Sequence, residues 1–84
     1  MDFTGKNVLI TGASRGIGKA TALAFAEKGA HVGLNFRSNT LEAERTLACL
    51  PGEGHQLFPK DLSKADNCKA VVNEFLSVYG TLEI

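Results

Sequence analysis

Three glycines, at positions 12, 16 and 18, fall within the stretch TGASRGIGKA, between the apolar run Val8-Leu9-Ile10 and an alanine-rich segment opening at Ala20. Such a link confines the chain, because glycines are spent where a backbone must turn tightly or be approached closely. The run behind it, Asn7 to Thr11, is short and apolar and reads as a buried strand. Ahead of it, from Gly16 to about Lys28, Ile17, Ala20, Thr21 and Ala24 recur at helical spacing, with Leu23 and Ala26 widening the stripe. The glycines thus join a strand to a helix. A helix start directs unpaired N–H groups outward and carries partial positive charge, so it suits a phosphate if the backbone can be reached. The plainer reading is a strand-to-helix turn that only packs closely. Its position in a strand–helix–strand unit favours the phosphate.

The alternation continues. Gly29 stops the first helix, and His31 to Phe36 reads as a second strand. Asn39 with Glu42 can cap a second helix whose apolar positions are Ala43, Leu47 and Leu50, ended by Pro51-Gly52. His55 to Lys60 reads as a third strand. Ser63 with Asp66 resembles a capping box for a third helix, with Ala65, Cys68, Val72, Phe75, Leu76 and Tyr79 on one face and Gly80 closing it. Thr81 to Ile84 looks like the approach to a fourth strand. Strands joined by helical crossovers are parallel and the crossovers right-handed. The expected fold is an α/β, Rossmann-type three-layer sandwich, βαβαβα plus the start of a fourth strand, with sheet order 3-2-1. Pro59 fits a third strand at the sheet edge, because proline cannot donate to a ladder.

Spacing discriminates between phosphate motifs. A P-loop would need glycine at position 13 and Ser or Thr at 20, where Ala13 and Ala20 stand. The G-x-G-x-x-G fingerprint would need glycines at 14 and 17, where Ser14 and Ile17 stand. Thr11 through Gly18 reads T-G-x-x-x-G-x-G instead. That pattern resembles the short-chain dehydrogenase/reductase family, and as Thr-Gly-Ala-Ser-Arg-Gly-Ile-Gly it looks most like the 3-oxoacyl-carrier-protein reductase branch. The resemblance runs through FTGKNVLITGASRGIGKATA, LNFRSN, KDLS and YGTLEI, in order along the chain. It implies that residues 1–84 are the N-terminal part of a dinucleotide-binding domain. It also implies a nicotinamide dinucleotide whose contacts include Gly12, Ser14, Arg15, Gly16, Ile17 and Gly18.

Selection between NAD(H) and NADP(H) falls at the end of the second strand, where an acidic residue usually holds the ribose 2′-hydroxyl. No Asp or Glu occurs between Lys28 and Leu41. Arg37 can fork onto a 2′-phosphate, Ser38 can add a hydrogen bond, and Arg15 can close from the loop, so NADP(H) is favoured. Taken singly, Arg37 reads equally as a solvated strand-end charge and Arg15 as a surface loop residue. In the resembled family the pair after strand 3, here Asp61-Leu62, meets the adenine; the alternative for Asp61 is to help Ser63 cap the third helix.

The family reduces carbonyls by hydride transfer, using a Tyr-x-x-x-Lys pair, a serine and an asparagine. Tyr79 is followed four residues on by Glu83 and reads as core. The Asn-Asn-Ala-Gly segment would fall beyond Ile84. Catalytic residues are therefore expected outside residues 1–84, and this chain alone is expected to be inactive. A carbonyl or acyl-thioester substrate is expected for a longer parent. A stand-alone nucleotide-binding or interaction module is the alternative, and a remnant without ligand a third. With strand 4 a stub beside strand 1, self-association through that edge is expected.

Nine basic and nine acidic side chains balance, which offers no field for nucleic acid or an anionic membrane. No apolar stretch is long enough to span a bilayer, and Met1 to Lys6 lacks the pattern of a secretion signal. Cys49 and Cys68 lack metal-ligand spacing and read as reduced packing residues; a cytoplasmic location is expected. His31 and His55 read as surface residues.

Overall fold

The computed structural model describes residues 2–12 and 16–84 of the chain. The elements alternate as β1 (Asn7–Ile10), α1 (Gly16–Glu27), β2 (His31–Phe36), α2 (Thr40–Cys49), β3 (Gln56–Pro59) and α3 (Ala65–Tyr79). The sheet is parallel, in the order β1-β2-β3. Asn7 pairs with His31 and Ile10 with Leu34; Gly33 pairs with Gln56 and Phe36 with Pro59. β3 lies at the edge, as Pro59 requires. The backbone at Glu83 and Ile84 joins β1 on its other side: Glu83 N–H donates to the Asn7 carbonyl (3.0 Å) and Leu9 N–H to the Ile84 carbonyl (2.9 Å). The approach to a fourth strand thus lies beside strand 1, as expected.

Side-chain alternation along each strand builds two cores. Val8, Ile10, Val32, Leu34 and Leu57 face α1 and α2, where they meet Ala22, Ala26 and Leu50. Leu9 and Phe58 face α3, where they meet Val71 and Phe75. The result is the expected three-layer arrangement.

Several sequence-based expectations are corrected in detail. In α1 the buried residues are Ala22 and Ala26, while Ile17, Ala20 and Ala24 are exposed. Nearly every position from Ala20 to Ala26 is small or apolar, so no polar row marks the outward side. In α3 the core contact is Val71 and Phe75, with Val72 and Tyr79 half-buried and Ala65, Cys68 and Leu76 exposed. The helix is about 22 Å long and β3 about 13 Å, so the strand cannot cover the whole length of α3. Both cysteines are exposed rather than packed inside. Cys68 Sγ sits 3.4 Å from the Leu62 carbonyl.

The expected capping of α2 is present, with Glu42 N–H donating to Asn39 Oδ1 at 3.2 Å. The expected box on α3 is not: its N-cap is Lys64, without a side-chain bond. The histidines are half-buried structural groups rather than surface residues. His55 Nδ1 accepts from Val32 N–H (3.0 Å), and the Nε2–H then donates to the Pro51 carbonyl (2.7 Å). His31 Nδ1 meets Asn7 Oδ1 at 3.1 Å, and its ring stacks on Tyr79. His55 stands just before Gln56 and caps an amide of β2 with its side chain, a role that strand periodicity does not mark.

Candidate functional site

Parallel strands send their carboxyl ends to one side of the sheet, and ligands of such folds sit there. Thr11 and Gly12 after β1, Arg37 after β2, and Asp61 and Leu62 after β3 line one open cleft of about 370 Å³, together with Asn35, Lys60 and Ser63. Another hollow, about 380 Å³, lies against α3 at Cys68, Lys69, Val72 and Asn73 and has no strand end in its wall.

Gly12 and Gly16 bracket the turn from β1 into α1 with φ of 61° and 66°, in the left-handed region that glycine enters without strain. A Cβ built on either would meet no described atom within 4 Å. Among the described residues the space above both backbones is open, which fits an anionic group resting against the helix start. Ile17, in the first turn of α1, is 86% exposed, and Gly18 follows it in the same turn. Ser14 and Arg15 lie outside the described residues.

At the end of β2, Arg37 is largely exposed, with Nε 3.6 Å from Asp61 Oδ2. The sequence shows no carboxylate near this strand end; the fold brings one across from β3. Ser38 is exposed beside it. Asp61 Oδ1 accepts from Ser63 N–H (3.0 Å), and its carbonyl accepts from Asn67 Nδ2 (3.0 Å). Asp61 therefore shapes the entry to α3 while its second oxygen faces Arg37 across the cleft. The Ser63 hydroxyl, the Ser63 N–H, and the charges of Arg37 and Lys64 hold its carboxyl below the usual aspartate value.

Two cleft residues escape motif reading. Lys60 is paired with Glu74 of α3 at 3.3 Å. Asn35 is buried, and its Nδ2 donates to the carbonyls of Phe58 (3.0 Å) and Lys60 (3.3 Å). A lone polar residue inside HVGLNF, which must find a partner when buried, is the signal that could have found it.

Tyr79 lies at the other end of the sheet. Its ring packs on Phe75 with centroids 4.6 Å apart, and its hydroxyl donates to the Gly54 carbonyl. Burial pushes the phenol above its ordinary value, which keeps it a donor. This is the core role expected for it. Among the described residues no helix is long and apolar enough to cross a membrane, and no cluster of His, Cys, Asp and Glu is placed to hold a metal ion.

A three-layer parallel sheet whose first helix opens on left-handed glycines at the strand ends is a Rossmann-type α/β fold. The chain belongs to the short chain dehydrogenase family, whose sequence model matches residues 6–84. A glucose 1-dehydrogenase from Gluconobacter oxydans is 44% identical over 98% of this chain and 32% of its own length. A 3-oxoacyl-[acyl-carrier-protein] reductase from Staphylococcus aureus is 36% identical over 94% of this chain and 33% of its own. Among solved structures, a short chain dehydrogenase from Burkholderia cenocepacia in complex with NADP superposes with a TM-score of 0.92 at 27% identity, covering 99% of this chain and 35% of that one. A 3-ketoacyl-(acyl-carrier-protein) reductase from Brucella melitensis complexed with NADH gives 0.87 at 34% identity, covering 98% of this chain and 33% of that one. The chain spans about a third of the length of the curated relatives it matches.

Proposed function

We propose that residues 1–84 form the NADP(H)-binding portion of an oxidoreductase that reduces a carbonyl, of 3-oxoacyl-thioester type, by hydride transfer from NADPH. The observation that carries the reading is the cleft at the strand ends, with left-handed Gly12 at one side and Arg37 at the other. The pyrophosphate would rest on Gly12, Gly16, Ile17 and Gly18, with Ser14 and Arg15 contributing from the loop. The adenine would lie by Asp61 and Leu62, and a 2′-phosphate by Arg37 and Ser38. When bound, the cofactor supplies the hydride; these residues bind and orient it. The 3-oxoacyl class is supported by the loop sequence and by similarity to reductases of that name. The groups that transfer the proton would stand outside residues 1–84.

Arg37 discriminates because a guanidinium binds a phosphate dianion far more strongly than a hydroxyl. Its pairing with Asp61 is single and exposed, so a phosphate can displace it. Calorimetric titration of the chain with NADP and NAD tests the assignment. NADP is expected to bind roughly tenfold or more tightly, from a charge-assisted hydrogen bond of about 1.5–3 kcal/mol, and Arg37→Ala is expected to remove most of that margin. Equal affinities in the unaltered chain would overturn the NADP assignment.

A further inference from the structure

We propose that Asn35 is a positioning residue for the adenosine end of this cleft: its carboxamide clamps the end of β3 so that Asp61 and Leu62 are held toward the ligand. The inference rests on the cofactor reading above. Asn35 is only 3% exposed, in a strand otherwise apolar around it. Among the described residues its amide nitrogen donates to the carbonyl of Phe58, in β3, and to that of Lys60, just beyond it. These acceptors flank Pro59, which has no N–H to give. β3 is the edge of the sheet, so no further strand holds it from outside. Beyond Pro59 the backbone is tied to β2 by Lys60 N–H to the Phe36 carbonyl (3.0 Å) and by the Asn35 amide to the Lys60 carbonyl (3.3 Å). The next residue is Asp61, whose carboxylate and carbonyl then set the turn into α3. A buried asparagine needs partners wherever it stands. Here the partners are the carbonyls either side of the residue where the ladder stops, immediately before the adenine corner.

Asn35→Asp keeps the shape and removes both donors. Titrations with NADP, NAD and AMP are run well below the melting temperature of the folded variant. The expected result is weaker binding of all three by a common factor of about ten, with the NADP-to-NAD ratio unchanged. Arg37→Ala, by contrast, changes that ratio. A purely structural role would lower the melting temperature and leave the dissociation constants of the folded protein unaltered, and that result overturns the proposal. The Ser63 amide, which reports the Asp61 turn, is also expected to move in the ligand-free ¹⁵N–¹H spectrum. If the unaltered chain binds neither dinucleotide, the cofactor reading fails, and an unmoved Ser63 amide in the folded variant separately overturns the clamp. Should Asn35→Asp not fold, Asn35→Ser, which keeps one shorter donor, is titrated in its place: weakened binding of all three ligands supports the clamp, and unchanged dissociation constants overturn it.

Discussion

Gly33, at the centre of β2, shows how closely α3 lies on the sheet. A Cβ built there would stand 2.6 Å from Phe75 Cε2 and 2.8 Å from Phe58 Cε2. Both rings are buried and packed on one another, with centroids 5.5 Å apart, so neither has free space to enter. Gly33→Ala is therefore expected to destabilise the chain by about 1–3 kcal/mol through overpacking. Thermal unfolding followed by circular dichroism should show a midpoint lowered by several degrees, and Phe58→Leu in the same background should recover part of it. At this scale the sequence was legible where backbone chemistry leaves a mark. Gly12 and Gly16 stand in the left-handed region in the loop that their spacing singled out. Asn39 accepts from Glu42 N–H as the capping pattern requires. It was illegible where the decisive partner is distant in sequence, as for Arg37 with Asp61 or His55 with Val32.

For whole elements, the order and type of strands and helices followed from the sequence, but helix phase did not. The six apolar positions assigned to α3 span about 100° of the helix circumference, and the buried row of Val71 and Phe75 is displaced to one edge of that arc. Val71 was missed because its neighbour Val72 fits the same periodicity. The difference is measurable. Phe75 is fully buried, whereas Leu76, placed on the same stripe by sequence, is 37% exposed. Phe75→Ala is expected to cost about 3–5 kcal/mol, and Leu76→Ala less than about 1 kcal/mol beyond its change in helix propensity. Urea unfolding of the two variants decides the matter, and equal losses would mean that α3 is rotated from its described phase. The site was more legible than the helices because strand ends converge by topology alone. Once the strands are parallel, the residues that follow β1, β2 and β3 meet at one end whatever the helix phase.

The whole molecule is closed by contacts between residues remote in sequence, and one of them titrates. Asn7, at the start of β1, donates its N–H to Glu83 Oε1 at 2.8 Å and its Nδ2 to Thr81 Oγ1 at 2.9 Å. This ties the segment after α3 to the first strand of the sheet. The Asn7 N–H, then Thr81, then the charge of Lys6 hold the Glu83 carboxyl below its ordinary value of 4.5. A carboxyl depressed in the folded state binds protons less readily there than in the unfolded chain. Its contribution to stability is therefore complete above about pH 4.5 and is lost as pH falls through the lower folded value. Asp2 and Asp61 are depressed as well, so acid weakens the fold through more than one group. The contribution of Glu83 is isolated by comparison with Glu83→Gln, which keeps an oxygen for Asn7 but carries no charge. At neutral pH the variant is expected to unfold at lower urea concentration than the unaltered chain. At about pH 3, below the unfolded-chain value, the two midpoints should draw together, while the remaining acid dependence persists in both. A gap between the curves that stays constant from neutral pH down to that acid limit would show that Glu83 acts through its shape alone, and that the charge at this junction adds nothing to the closure of the sheet.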